Sequence, residues 1–379
     1  MKQRYLFIDL YRTAVILLML EGHVFRAFLQ PAVQRSPFFQ LHEFFHGLSA
    51  PAFLFGAGLT FVISTRKKWE NYHHWGRPLA LRIRRLLLVI ALGLALHLPY
   101  FSLRKILNEC TLADSLQLFQ FDVLHCIGIG LLSLHMIIFF FKKESRFYGL
   151  VFATILAFCF LTPLVWDTDF LKILPPAFAQ AFNGNHGSPF PLFPYTGFLF
   201  VGVIVSWEFF IASDRKEEKL FMMRLCNAGM VLIITGIVSD IIPVRVYPVY
   251  NYWFTSPSYF LLRAGALMLM TGVFWYIAQY VRNPRKIVTV LGIESLFVYA
   301  AHLVVVYGTA VNPDINLQKI CGTDLSPLLT ATIFLGVLLA MLAASLSWNF
   351  LKENHPVLYR SAQLLGGGLI LILFISRKY

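Results

Sequence analysis

Long apolar segments separated by short polar connections dominate this chain. About eleven of them have the roughly 20 residues with which an α-helix crosses a bilayer. They lie near residues 7–29, 48–65, 84–102, 122–141, 148–166, 191–212, 222–242, 258–281, 287–309, 327–349 and 359–376. The segments are continuously apolar and do not alternate, which favours helices over the strands of a membrane barrel. The sequence therefore predicts an all-α polytopic bundle of about 10–11 transmembrane helices.

The composition agrees with a membrane protein. Hydrophobic residues make up 58% of the chain and charged residues only 13%, whereas about 25% of the residues of a soluble domain are charged. No stretch is polar enough, for long enough, to suggest a soluble domain or a long linker. We therefore expect residues 1–379 to form a single transmembrane domain in the cytoplasmic (plasma) membrane.

Basic residues predict the orientation in the membrane. The net charge of +13 arises largely from Lys and Arg in four connections, at residues 66–85, 142–146, 215–219 and 282–286. Such residues concentrate in cytoplasmic loops, so the N-terminus is predicted to be cytoplasmic, and nucleic acid is not expected as a partner. Eleven spans would place Arg377 and Lys378 outside, which leaves ten spans or a re-entrant end open.

The first apolar segment carries five ionisable residues: Asp9, Arg12, Glu21, His23 and Arg26. Ionisable side chains at bilayer depth are costly and usually face protein or water. On a helix, Arg12 and His23 share one face about 16 Å apart along the axis. Asp9 and Arg26 fall within about 40° of that line, while Glu21 points away. The segment is thus predicted to present a polar stripe to the inside of the bundle.

This first segment, IDLYRTAVILLMLEGH, has ten residues between its arginine and its histidine. It resembles the opening of integral-membrane acyltransferases that acylate extracytoplasmic glycans, and it is most similar to the catalytic domain of heparan-α-glucosaminide N-acetyltransferase and its bacterial relatives. Thr13 stands where that family usually has glycine. The resemblance recurs in GLSAPAFLFGAGLTF (47–61), FDVLHCIGIGLL (121–132), FPLFPYTGFLFVGVIVSW (190–207), TSPSYFLLRAG (255–265) and GIESLFVYAAHLVVVY (292–307).

The resemblance implies transfer of an acetyl group from cytosolic acetyl-CoA to an amine or hydroxyl of a sugar on the other side of the membrane. The implied partners are acyl-CoA, a glycan or glycolipid acceptor and the lipid bilayer; no metal is expected, and a homodimer is left open. The acceptor needs a general base, and histidine suits that role near neutral pH. His23 matches the position in the glycan O-acetylating relatives, and His42 matches the histidine of the heparan-modifying enzyme. A shifted alignment register would favour His46 in place of His42. Because the two groups of relatives have their histidine at different positions, the base stays open between His23 and His42.

Three groups of residues are candidates for the donor site. Arg12 and Asp9 form either a buried structural pair or a contact to the donor. Arg82 and Arg85 could bind the phosphates of CoA, since arginine binds phosphate well. Alternatively, they could only set the membrane orientation and attract anionic lipids. Ser295, Tyr299 and His302 share one helix face and match the pattern of the family, so they either line the acyl-donor site or bond neighbouring helices.

Three further polar residues lie in predicted spans. Asp122 and His125 open the fourth span, where they serve either as a helix cap or in catalysis. Arg263 is the remaining intramembrane charge and is expected to face the same cavity as the polar stripe.

Two other functions compete with acyl transfer. His42-Glu43-x-x-His46 fits the HExxH pattern of a zinc metalloprotease, for which Asn312-Pro313-Asp314 could supply a third ligand. The five cysteines, by contrast, are scattered without a CxxC pair, which argues against a metal cluster. Intramembrane charges also suit a transporter of small molecules or glycolipids. The acyltransferase accounts for more of the chain and is therefore preferred.

Overall fold

The computed structural model describes residues 5–242, 246–247, 250–281 and 284–378. Over these ranges the regular structure is helical, and the β pairing consists of one isolated bridge between Leu29 and Leu325. The predicted all-α fold is thereby confirmed.

The N-terminal half begins with long helix α1 and contains both long and short helices. Its helices are α1 (Leu6–Phe28), α2 (Pro31–Gln34), α3 (Pro37–His46), α4 (Ser49–Thr65), α5 (Arg77–Leu96), α6 (Leu103–Glu109), α7 (Leu112–Leu118), α8 (Val123–Phe140), α9 (Glu144–Phe160), α10 (Thr162–Asp167) and α11 (Pro176–Phe182). Two 3₁₀ segments, Arg66–Tyr72 and Phe170–Lys172, lie in its connections.

The C-terminal half contains most of the longest helices. They are α12 (Leu192–Asp214), α13 (Glu218–Ile241), α14 (Pro257–Tyr280), α15 (Lys286–Ile293), α16 (Ser295–Val306), α17 (Leu317–Cys321), α18 (Pro327–Asn354) and α19 (Pro356–Ser376). Every apolar segment predicted from the sequence is therefore helical, and the ninth is broken into α15 and α16.

The helices differ in how well they suit a bilayer. Within the described ranges, 7 helical segments are long and apolar enough to cross a membrane, and α15 with α16, bent by 76°, makes up to 8. The other predicted spans are α1 and α5, which carry several charges, and α9, which has 17 residues. The chain is a polytopic helical membrane protein, and its charged helices are the ones that need protein neighbours.

The chain forms two compact units. The first comprises Met1–Tyr11, Ala50–Ala95 and Phe119–Tyr280, and the second comprises Arg12–Ser49, Leu96–Leu118 and Val281–Tyr379. In the first unit, α4 and α12 meet backbone to backbone. A Cβ atom on Gly58 would lie 2.0 Å from the carbonyl oxygen of Leu199, and one on Gly202 would lie 2.2 Å from that of Phe55. Small residues thus allow close helix packing, as is usual in membranes.

In the second unit, the break between α15 and α16 is held by α18. The carboxylate of Glu294, at the break, accepts hydrogen bonds from Asn349 Nδ2 at 3.0 Å and from Lys352 Nζ at 2.9 Å. On the other side, Thr13 Oγ1 accepts from the backbone N–H of Gly292 at 3.3 Å. The hydroxyl of Thr13, which glycine lacks, therefore anchors the end of α15 to α1.

Candidate active site

Polar pairs join α1 to α16 within the second unit. Arg12 Nη2 donates a hydrogen bond to Ser295 Oγ at 2.6 Å. Farther along both helices, the rings of His23 and His302 meet at 4.9 Å between centroids, nearly perpendicular. Tyr307 Oη donates to the carbonyl oxygen of His23 at 3.0 Å. The two helices therefore run in the same direction, and Arg12 and His23 lie on the side of α1 that contacts α16.

The ring nitrogens of this histidine pair are available for chemistry. His302 is fully buried, and its Nδ1 donates to the carbonyl oxygen of Val298 at 2.9 Å. A neutral imidazole protonated at Nδ1 has its lone pair at Nε2. That Nε2 atom, like Nδ1 of His23, is buried and has no hydrogen-bond partner among the described residues. Two nitrogens without a hydrogen-bond partner thus lie on adjacent rings. This is unusual, because buried polar atoms are ordinarily hydrogen-bonded.

The three predicted residues of α16 are all buried. Ser295 begins the helix and contacts Arg12. Tyr299 lies one turn later, and its ring contacts His302 at 5.8 Å between centroids. The i, i+4, i+7 spacing therefore places them on one side of α16, as its periodicity predicts.

A second cluster joins α1 to α3. The two carboxylate oxygens of Glu21 reach two imidazoles: Oε1 lies 2.7 Å from His42 Nε2, and Oε2 contacts His46 Nε2. The rings of His42 and His46 are 4.0 Å apart between centroids. Sequence reasoning missed this cluster. The available signals were the i, i+4 histidines and an acidic residue of α1 that the polar stripe did not explain.

Glu43, the acidic residue of the HExxH pattern, pairs with Arg26. Arg26 Nε donates to Glu43 Oε1 at 2.9 Å, and the guanidinium makes a second contact to Oε2. Arg26 is thus engaged with α3. Asp314, which sequence reasoning offered as a third metal ligand, is not part of the His42–His46 group; over the described ranges, the third ligand atom is supplied by Glu21.

Arg82 and Arg85, two of the basic candidates for the donor site, belong to the first unit, as does buried Asp9. Arg82 is half-buried and donates to Ser64 Oγ, while its Nε is buried without a partner in the described part of the chain. Arg85 is exposed. Arg82 is therefore partly committed to packing between α5 and α4, and Arg85 is accessible to a ligand.

Asp122 and His125 form the N-terminal cap of α8. Asp122 Oδ1 accepts from the backbone N–H groups of Leu124 and His125 at 2.9 and 3.1 Å, and it lies 2.7 Å from His125 Nδ1. Both side chains are buried in these contacts. Of the two roles that the sequence left open, the structure supports the helix cap.

Arg263 is buried in α14 of the first unit. Its guanidinium carbon lies 3.9 Å from the centre of the Tyr259 ring, which provides a cation–π contact. Arg263 is thus placed by α14 in a different unit from the α1–α16 contact.

Comparison with known proteins supplies the reaction class. Residues 4–242 match the protein family described as heparan-alpha-glucosaminide N-acetyltransferase, catalytic. The matched region includes Arg12, His23, His42 and His46 and ends before α16 begins. No curated protein matches the chain. Because the family match covers more than half of the sequence, the chain belongs to the family of the heparan-alpha-glucosaminide N-acetyltransferase catalytic domain, a family of membrane acetyltransferases.

Proposed function

We propose that this protein transfers an acetyl group from acetyl-CoA to an amine or hydroxyl of an extracytoplasmic sugar or glycan, with a histidine as general base. The family supports the reaction class. The observation that carries the residue assignment is the contact between α1 and α16, where Arg12 pairs with Ser295 and His23 with His302. One polar line thus combines a group suited to bind an anionic donor with a group suited to accept a proton.

The Arg12 end is assigned to the donor. An arginine fork binds phosphate and carbonyl oxygens well, and Ser295 lies at the first turn of α16, where the helix dipole also favours negative charge. Asp9, in the first unit, keeps the donor-side role that the sequence predicts for it. Within the first unit, exposed Arg85 and half-buried Arg82 are proposed by themselves as phosphate-binding groups, the role that the sequence predicts for them. Tyr299 would stabilise the oxyanion that forms as the thioester is attacked.

The His23 end is assigned to the acceptor. The base takes a proton from the acceptor as the acceptor's nitrogen or oxygen attacks the thioester carbonyl. The C–S bond then breaks, and the base passes the proton to the departing CoA thiolate. His23 is favoured because its Nδ1 is unoccupied and its ring adjoins His302. His42 is the alternative base, since its Nδ1 is also buried without a partner in the described ranges, but its Nε2 is taken by Glu21.

The test uses purified protein in lipid nanodiscs with radiolabelled acetyl-CoA and a panel of amino sugars and cell-surface glycans. Label should reach an acceptor, and CoA thiol should be released in equal amount. Arg12→Ala should raise KM for acetyl-CoA more than it lowers kcat. Exposed His355 on the α18–α19 connection offers a matched control, because His355→Ala should leave both constants unchanged.

Two results would overturn the proposal. One is the absence of labelled product with every acceptor although acetyl-CoA binds. The other is label transfer that proceeds at the parent rate in both His23→Ala and His42→Ala.

A further inference from the structure

Glu21, His42 and His46 place three metal-ligating groups around one point. One carboxylate oxygen and the two imidazole nitrogens lie within 4.8 Å of one another. Both histidines turn Nε2 towards the same carboxylate. Two imidazoles and one carboxylate are a ligand set that zinc takes in enzymes, with a further position left for water or substrate.

The charges around His46 favour a cation at this point. His46 Nε2 faces Glu21, and its Nδ1 lies 3.4 Å from Glu43 Oε1. A neutral imidazole has a single N–H and cannot donate to both carboxylates. A metal at the Nε2 side satisfies both contacts without a proton on each nitrogen, because it binds the Nε2 lone pair and leaves the Nδ1–H to donate to Glu43. Such a carboxylate behind a ligating histidine is the usual arrangement at zinc sites.

The backbone of α1 holds His46 in place. A Cβ atom on Gly22 would lie 3.3 Å from two carbons of the His46 ring, so the ring lies directly against this glycine. The ring of Phe39 packs near both histidines, at 5.3 Å from His42 and 6.4 Å from His46 between centroids. Arg26 fixes Glu43 in turn. The two histidines are therefore positioned by Gly22 and Phe39, which lie outside the ligand set.

The cluster is also open to the surface of the protein. The side chain of His46 is 3% exposed, but those of Glu21 and His42 are 20% and 30% exposed. One buried ligand and two accessible ones leave a path for the ion and room for an additional ligand on the open side.

We propose that Glu21, His42 and His46 form a zinc site between α1 and α3. The ligands alone define the site, and it does not depend on the acyltransferase proposal. The two proposals meet at one residue, because a bound zinc makes His42 a ligand and leaves His23 as the base.

The test measures metal rather than activity. Full-length protein in nanodiscs is stripped with a chelator and titrated with zinc in competition with a chromogenic chelator, and its metal content is read by mass spectrometry. We expect about one zinc per chain, bound by three protein ligands. Glu21→Gln and His46→Ala should each weaken binding more than about 100-fold, and Glu43→Gln about tenfold, since loss of a supporting carboxylate costs about 10–100-fold.

His355→Ala is the matched control for adventitious binding to histidine, and it should keep the parent affinity. If gel filtration shows that His46→Ala does not fold, His42→Ala provides a second ligand variant, because the His42 side chain is partly exposed. Failure of the stripped protein to bind zinc would overturn the proposal. So would zinc binding that persists unchanged in Glu21→Gln or that is lost in His355→Ala.

Discussion

Helix α1 makes two polar contacts of different character in the second unit. Towards α16, the rings of His23 and His302 are adjacent, and Nδ1 of His23 and Nε2 of His302 have no hydrogen-bond partner in the described ranges. Towards α3, the Nε2 atoms of His42 and His46 both face the carboxylate of Glu21. An unoccupied lone pair can accept a proton from a substrate, whereas a nitrogen turned towards a carboxylate is arranged for a cation. Histidines at two neighbouring faces of α1 are therefore suited to two kinds of chemistry.

The largest expected effect separates the two contacts directly. His23→Ala should lower kcat for acetyl transfer by about 10²–10⁴-fold, the usual contribution of a general base, while zinc affinity stays at the parent value. Single-turnover transfer and zinc titration on the same preparation would measure both. Equal loss of zinc in His23→Ala would contradict the separation.

The next effect concerns the support of α16. Glu294→Ala removes the buried acceptor of Asn349 and Lys352 and should destabilise the second unit by about 2 kcal/mol, the range for hydrogen bonds to charged groups. Acetyl transfer should fall because Ser295 and His302 lie just beyond the break. Thermal unfolding in nanodiscs would measure the loss.

The ion pair of Lys286 with Glu353 is a suitable control for Glu294 because both partners are largely exposed. Lys286→Met should cost less than about 1 kcal/mol. Equal destabilisation by the two variants would show that the break does not depend on Glu294.

A smaller effect tests the α3 side alone. Gly22→Ala adds a Cβ at 3.3 Å from the His46 ring, which must move by a few tenths of an ångström. Zinc affinity should weaken by about tenfold, comparable to loss of a supporting contact, with the KM for acetyl-CoA unchanged. Gly149 has open space around it in the first unit, so Gly149→Ala is the control that should leave zinc affinity unaltered.

The smallest effect concerns Thr13. Thr13→Val keeps the shape but removes the oxygen that accepts from Gly292, and it should cost about 1 kcal/mol, the typical net value of a hydrogen bond. Chemical or thermal unfolding would detect it. Stability equal to the parent would mean that the N–H of Gly292 finds another acceptor.

Much of the fold could be predicted because it depends on local properties. Each apolar segment became a helix, since a bilayer requires every backbone group to bond within its own segment. The shared face of Arg12 and His23, the common face of Ser295, Tyr299 and His302, and the cap at Asp122 also follow from local periodicity and helix-end chemistry.

The partners of these faces could not be predicted, because periodicity says which residues lie together on a helix but not which helix lies opposite. Arg12 meets Ser295 across 283 residues of sequence, and Glu21 meets His46 across 25. Arg26, predicted on the polar stripe, pairs with Glu43 instead, because a guanidinium near the end of α1 can reach an acidic residue on α3. The amino-acid sequence was enough to predict a helical membrane bundle, a family resemblance and a charged first helix. The tertiary structure alone decided that one face of this helix contacts α16 and another contacts α3, since only packing brings distant ionisable groups within bonding distance.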